Sequence, residues 1–281
     1  MNLNNLAFRF LEFYGTKLHH RGQWRVHAWL RRALRVNLGE ELEVARSGLR
    51  WRLNPSDYVQ ADLFWLDSKD PWEIYHLTKM LSRGSVIFDV GANFGYYSLK
   101  LASILDGNCS VHAFEPVPSN FERLSANISL NSLQNCIRAR RIGLSDREGT
   151  ASMSVRSENT GAAHIIGNGG DIVLSTLDRY CDKERIESLA LIKIDVEGFE
   201  PLVLRGGAAT IQRCRPIILL ELNPPTLKRL GYVPQDVVHI LSGFGYELFV
   251  PRHKRLEKLE ELPSGDDYIN VFCMHPGSVR T

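Results

Sequence analysis

The sequence predicts an α/β fold built on a mostly parallel sheet. From Ser85 onward, short apolar runs alternate with stretches at helical spacing, the pattern of right-handed strand–helix–strand crossovers. The first of these runs ends in a glycine-rich turn, Asp89-Val90-Gly91-Ala92-Asn93-Phe94-Gly95, that leads directly into a helix. The composition agrees with a globular chain: 281 residues, 44% hydrophobic and 23% charged. No apolar run exceeds four residues, so no segment approaches the ~20 needed to span a bilayer. Arg9 and Glu12 interrupt the apolar residues where the core of a secretory leader would lie.

Along the chain, Leu3, Leu6, Phe10 and Phe13 stand three and four apart, which predicts a first helix. A second basic helix is expected over Trp24 to Arg35. Residues 1–35 hold seven Lys/Arg and one acid, a net of +6, against −4 for the remainder. We expect a helical pair packed on the body with a solvated basic face. The alternative is peripheral contact with a membrane surface or an acidic partner. Residues 40–66 read as short strands with turns, including Asn54-Pro55-Ser56-Asp57, and Pro71 fits the first turn of a helix ending near Leu81. Residues 1–82 are therefore read as an N-terminal extension and 83–281 as the main domain.

Within that domain the expected strands are Ser85–Val90, Ser110–Phe114, Cys136–Ile142, Leu189–Val196 and Pro216–Leu222. The expected helices are Tyr96–Leu105, Pro118–Leu130, Glu200–Gln212 and Pro234–Ser242. Tyr246–Val250 and Tyr268–Met274 close the chain as an antiparallel pair joined by a charged loop, Arg252 to Glu261. Residues 149–175 read as an irregular Gly-rich excursion facing the substrate. The five cysteines are widely spaced without a C-x-x-C pair, which predicts free thiols in a reducing, cytoplasmic setting.

The chemistry begins at the glycine turn. Gly91 and Gly95 let the backbone approach a ligand closely, and the helix start offers free N–H groups. Glu115 ends the next strand, 24 residues after Gly91, where an acid can hold both ribose hydroxyls of a nucleoside. A dinucleotide site would place glycine where Asn93 stands. Asp89 suits the amino group of a methionine moiety and would repel a pyrophosphate. The cofactor expected is S-adenosylmethionine rather than NAD.

Taken with further motifs, the chain resembles the FkbM-family S-adenosylmethionine-dependent methyltransferases. The residues carrying the resemblance are Asp89–Gly95, Ala113-Phe114-Glu115-Pro116, Asn127 to Asn131, Ser175-Thr176-Leu177-Asp178, the run Ile192 to Glu200, and Arg215-Pro216 leading into Leu219-Leu220-Glu221. The resemblance implies a Rossmann-like sheet of seven strands with the last one antiparallel. It implies O-methylation of a sugar, glycan or natural-product hydroxyl. It puts cofactor contacts at Asp89, Gly91, Ala92, Asn93, Gly95, Glu115 and Pro116, and near Gly143-Leu144-Ser145.

The catalytic group is argued from chemistry. Lys193, Asp195 and Glu197 alternate with period two at a strand's C-terminal end, where a doubly covered strand should be wholly apolar. Asp195 lies nearer the sheet and can touch both cofactor and acceptor; Glu197 lies farther out, within reach of an acceptor hydroxyl. A Lys–Asp ion pair with only a structural role is the competing reading. His164, in the excursion, is a second candidate base. No metal set is expected, although Asp195, Glu197 and Glu221 are the oxygen ligands that would suit a hard cation. Asn223-Pro224-Pro225-Thr226 resembles the motif of amino-methylating nucleic-acid enzymes but lacks its aromatic, so a simple turn and no nucleic-acid partner are expected. The rival readings are an NAD-linked oxidoreductase and a non-catalytic binding module of the same fold.

Overall fold

The computed structural model describes residues 3–18, 22–34, 41–156 and 159–276, with side chains described except at 3–5 and 153–168. Its contacts divide the chain into two compact units, Met1–Pro71 with Arg156–Gly161, and Trp72–Val155 with Ala162–Thr281.

In the smaller unit, α1 (Leu3–Lys17) and α2 (Gln23–Ala33) form the expected pair. Gln23 on α2 donates its amide to the carbonyls of Tyr14 and Gly15, tying off the last turn of α1 at 3.1 and 2.7 Å. The hairpin β1 (Leu42–Arg46) and β2 (Leu49–Leu53) turns through Ser47 and Gly48, whose φ of 50° and 81° match the twist of the strands. Leu49, Trp51 and Leu53 alternate inward. Residues 58–66 are helical where the sequence reading expected strands and turns: α3 (Tyr58–Leu66) starts at Asp57, whose carboxylate accepts from the Val59 and Gln60 amides. That cap, with Leu63, Phe64 and Trp65 buried on the helix, outweighs the turn-rich residues before it. Gly15 is where α1 meets α3, since a Cβ there would stand 2.0 Å from the Trp65 carbonyl oxygen.

The larger unit opens with α4 (Pro71–Met80), all but its first residue. His76 bonds the His253 carbonyl at 2.9 Å, and Glu73 accepts from Asn270 at 3.1 Å. Then β3 (Val86–Val90), α5 (Tyr96–Ile104), β4 (Ser110–Phe114), α6 (Pro118–Leu130) and β5 (Ile137–Arg140) alternate as expected. After them come β6 (Gly143–Ser145), β7 (Gly149–Arg156), β8 (Asn159–Asn168) and β9 (Ile172–Thr176). The chain continues through α7 (Leu177–Glu184), β10 (Leu191–Ile194), α8 (Glu200–Gly206), α9 (Ala208–Cys214) and β11 (Ile217–Leu222). It ends with α10 (Pro224–Arg229), α11 (Pro234–Gly243), β12 (Glu247–Arg252), β13 (Arg255–Lys258) and β14 (Ile269–Met274).

The main sheet runs β13-β12-β14-β11-β10-β3-β4-β5. Seven of these strands make the expected Rossmann-like sheet, with β14 antiparallel between β11 and β12. The eighth, β13, lies in the segment read as a charged loop; it folds back on β12 and covers its edge. The excursion of residues 149–175 is likewise not irregular. It supplies β7, β8 and β9 of a second, four-stranded sheet, β6-β9-β7-β8. The period-two run Thr150-Ala151-Ser152-Met153-Ser154-Val155 carried that signal beneath the glycines. The helix expected over Glu200–Gln212 is broken at Gly207; beside it, a Cβ on Gly206 would stand 2.0 Å from the Ser145 carbonyl oxygen. Asp178 restarts it by accepting from the Ala209 and Thr210 amides.

Strand order reverses between β3 and β10. The chain winds outward through β4 and β5, then returns to β10 and β11. A crevice at the carboxyl ends of strands opens at such a switch point. Apolar side chains of β3, β10 and β11 fill the sheet beneath it. All five cysteines are free, and Cys136, Cys181 and Cys273 are buried.

Candidate active site

The glycine turn is held from two sides. Gly91 (φ 78°) presses against the neighbouring strand end, and a Cβ there would stand 1.9 Å from the Asp195 carbonyl oxygen. Asn93, at φ 50°, donates its backbone N–H to Glu115 at 2.8 Å. The other Glu115 oxygen accepts from Val117 at 3.0 Å. Burial pushes the Glu115 carboxyl up to about 7 against these hydrogen bonds. Its oxygens together offer about four lone-pair sites. The Asn93 side-chain oxygen is buried and has no hydrogen-bond partner, the kind of atom a bound ligand would satisfy.

Asp89 is buried and turned toward α5. One of its oxygens accepts from both the backbone and the hydroxyl of Ser98, at 3.0 and 2.6 Å. The other lies 3.7 Å from the Lys193 ammonium. Register explains the pairing, since Lys193 on β10 stands directly beside Asp89 on β3. Lys193 also reaches Asp195 at 3.3 Å, donates to the Gly91 carbonyl at 3.1 Å, and lies over the Tyr97 ring. Burial lowers its pKa, but Asp195 and Asp89 outweigh burial and hold the ammonium above its ordinary value. The structural ion pair weighed on sequence is thus present. It does not use up Asp195, whose side chain keeps 40% of its exposure.

Beyond Asp195 the chain makes a sharp turn. Glu197 has φ 55° and Gly198 φ 106°. Glu200 folds back to accept from the Val196 and Gly198 amides at 3.1 and 3.2 Å. Burial first, then the charges of Asp195 and Glu200, push Glu197 up to about 8. Glu221, at the end of β11, also stands well above the usual carboxylate range through burial and Asp195, and it accepts from Asn223 at 3.0 Å. Among the described residues, no group of three or more His, Cys, Asp or Glu is arranged to hold a metal ion.

The structure therefore brings together Asp89, Gly91, Ala92, Asn93, Gly95, Glu115, Lys193, Asp195, Glu197 and Glu221. Pro116 stands beside Gly143, 3.7 Å from where a Cβ would be. Leu144 turns its side chain into the core, so only its backbone is offered to a ligand. His164 belongs to β8, not a loop, and its side chain lies outside the described residues. Asn223-Pro224-Pro225-Thr226 is the start of α10, with the Thr226 hydroxyl bonded to the Asn223 carbonyl. Sequence reasoning gave no role to Ser98, Tyr97 or Glu200. Glu200 carried a signal, an acid at a helix start three residues after Glu197.

Residues 89–248 match the model of the methyltransferase FkbM domain. The chain belongs to the FkbM methyltransferase family. It is 28% identical over 159 residues to the hexuronic acid methyltransferase AglP of Haloferax volcanii, covering 56% of this chain and 61% of that one. It is 32% identical over 201 residues to the 31-O-demethyl-FK506 methyltransferase FkbM of Streptomyces tacrolimicus, covering 59% and 74%. The fold is similar to that of a methyltransferase FkbM from Methylobacillus flagellatus, with a TM-score of 0.50 at 15% identity over 97% of this chain and 59% of that one. The chain spans about three fifths of AglP and of the Methylobacillus FkbM protein.

Proposed function

We propose that this protein transfers a methyl group from S-adenosylmethionine to a hydroxyl oxygen of a sugar, glycan or natural product. The observation that carries the cofactor reading is the occupation of the α5 N-terminus. Asp89 already takes the Ser98 amide there, so the donor that would meet a pyrophosphate is filled by a carboxylate. This disfavours NAD and leaves room for a nucleoside held through Glu115. The acceptor class draws support from the relatives' names, one acting on a hexuronic acid and one on an O-demethylated natural product.

S-adenosylmethionine supplies an electrophilic methyl carbon on a sulfonium. The chain's own residues then have three tasks. Glu115 accepts from the ribose hydroxyls, and the turn from Gly91 to Gly95 offers its backbone and the Asn93 side chain to the nucleoside. Asp195, drawn toward Lys193 yet partly exposed, meets the ammonium of the methionine moiety. Glu197 removes the proton from the acceptor hydroxyl as the oxygen attacks in line.

Isothermal titration should show binding of S-adenosylhomocysteine and none of NADH; the reverse pattern would overturn the reading. Glu115→Ala should weaken S-adenosylhomocysteine binding by about tenfold or more, because each charge-assisted bond to a hydroxyl contributes ~1.5–3 kcal/mol. Unchanged affinity would remove Glu115 from the ribose. Asp195→Asn should lower cofactor affinity and turnover together. A variant that binds normally yet turns over slowly would move Asp195 to the acceptor side.

A further inference from the structure

The outward faces of α1 and α2 carry the exposed basic residues expected from sequence, and large apolar side chains with them. α1 turns Leu11 and Gly15 inward, and α2 turns His27 inward, where its ring lies 3.2 Å from the Leu11 carbonyl. The opposite faces are neither wholly polar nor packed. Leu6, Phe10 and Phe13, spaced i, i+4 and i+7, are 57%, 50% and 57% exposed on α1. On α2, Trp29 is 66% exposed on the face away from His27, and Trp24, in the first turn, is 59% exposed. Single exposed apolar residues are ordinary, but a run of large ones on two consecutive short helices marks an interaction surface.

Exposed Arg9, Lys17, Arg25 and Arg32 stand among these side chains. The Arg25 guanidinium lies over the Trp24 ring, 5.4 Å from its centroid. Among the described residues of the two helices the one acid is Glu12, and it is bound to Arg46 at 2.7 Å. The outward faces are therefore cationic and aromatic at once. Protein interfaces also enrich aromatic residues and arginine, but they keep most charge at their rim. A bilayer surface accepts this mixture, with aromatic rings at the headgroup level and Arg/Lys at lipid phosphates. Among the described residues no helix is long and apolar enough to cross a membrane.

We propose that α1 and α2 dock the protein on an anionic phospholipid surface through Phe10, Phe13, Trp24 and Trp29, with Arg9, Lys17, Arg25 and Arg32 supplying the charge attraction. The proposal is independent of the methyl-transfer reading.

The test is cosedimentation of the full chain with vesicles of phosphatidylcholine alone and of phosphatidylcholine with about one third phosphatidylglycerol. Binding to the anionic vesicles is expected at low salt, with a blue shift of tryptophan emission. It should weaken at ~1 M salt, where screening acts within about 3 Å. Trp24→Ser with Trp29→Ser should lower the partition coefficient by about tenfold or more, while S-adenosylhomocysteine affinity and melting temperature stay at wild-type values. Absence of binding to anionic vesicles at low salt would overturn the proposal, as would equal binding by the double variant. A dimer that the double substitution dissociates, without vesicle binding, would overturn it in favour of contact between copies of the chain.

Discussion

Glu197→Gln is expected to cut methyl transfer by ~10²–10⁴-fold while leaving S-adenosylhomocysteine affinity nearly unchanged. The amide keeps the shape of the side chain at its left-handed turn but cannot take a proton. The pH dependence makes the test sharper. The Glu197 carboxyl is pushed up to about 8 by burial and by Asp195 and Glu200. A base of that kind acts only when ionised, so wild-type turnover should rise about tenfold per pH unit below 8 and level off above it. The glutamine variant should lose this rise.

Stability should move in the opposite direction. The folded pKa lies above the ordinary value of 4.5, so the unfolded chain ionises first. The folded state is favoured at low pH, and this share of stability is lost between about 4.5 and 8. Glu115 and Glu200, both raised to about 7 by burial, add to the decline. The variant should therefore melt higher than wild type at pH 9 and show a shallower fall. Initial rates and melting temperatures across pH on both proteins check both arms. Near-wild-type turnover in Glu197→Gln would remove this residue from catalysis and turn attention to His164.

Gly91→Ala should abolish cofactor binding and lower the melting temperature. The added methyl would stand 1.9 Å from the Asp195 carbonyl oxygen, and main chain cannot swing aside like a flexible side chain. The residue would also hold φ 78°, at a cost of about 1–2 kcal/mol for a residue with a Cβ. Overpacking adds about 1–3 kcal/mol. At roughly 2–4 °C per kcal/mol, the two together predict a fall of about 4–20 °C. The clash forces β3 and β10 apart at the switch point, so Lys193 loses its hold on Asp89 and on the Gly91 carbonyl. Thermal melting and S-adenosylhomocysteine titration measure the two effects. An alanine variant that binds at wild-type strength would show that the strand ends are looser than their contact implies.

What sequence could reveal here depended on the range of the interaction. The alternation of β3, α5, β4, α6 and β5 was legible because each element carries its own periodicity and turn residues. The glycine turn and Glu115 were legible for the same reason. The hidden features rest on partners distant in the chain. Nothing local to Gly206 announces the Ser145 carbonyl that packs against it, next to the break at Gly207. The Asp89–Ser98 bond was hidden too: Asp89 read as a ligand for an amino group, and only the fold shows it capping α5 from within. Lys193 and Asp195 stood out as charges in an apolar strand, but register had to bring Asp89 alongside before their ion contacts could be seen. In residues 149–175 glycines masked a true strand pattern. At 58–66 one capping aspartate decided for helix against the turn-rich residues before it.

The five free cysteines and the tryptophans divide along the chain. Trp24, Trp29, Trp51 and Trp65 all precede Pro71, while Trp72 alone falls in the larger unit. Every cysteine lies beyond residue 100. Indole emission therefore follows mainly the helices and hairpin of the smaller unit, and thiol-reactive dyes follow the larger one. Burial pushes the Cys181 thiol up to about 11 and raises Cys273 as well, so in the closed sheet both are protonated and shielded from reagent. Labelling at these positions then clocks the transient opening of α7 and of β14. The natural sequence thus carries two separate optical and chemical channels, and the cooperativity between its units can be measured without introducing a foreign probe.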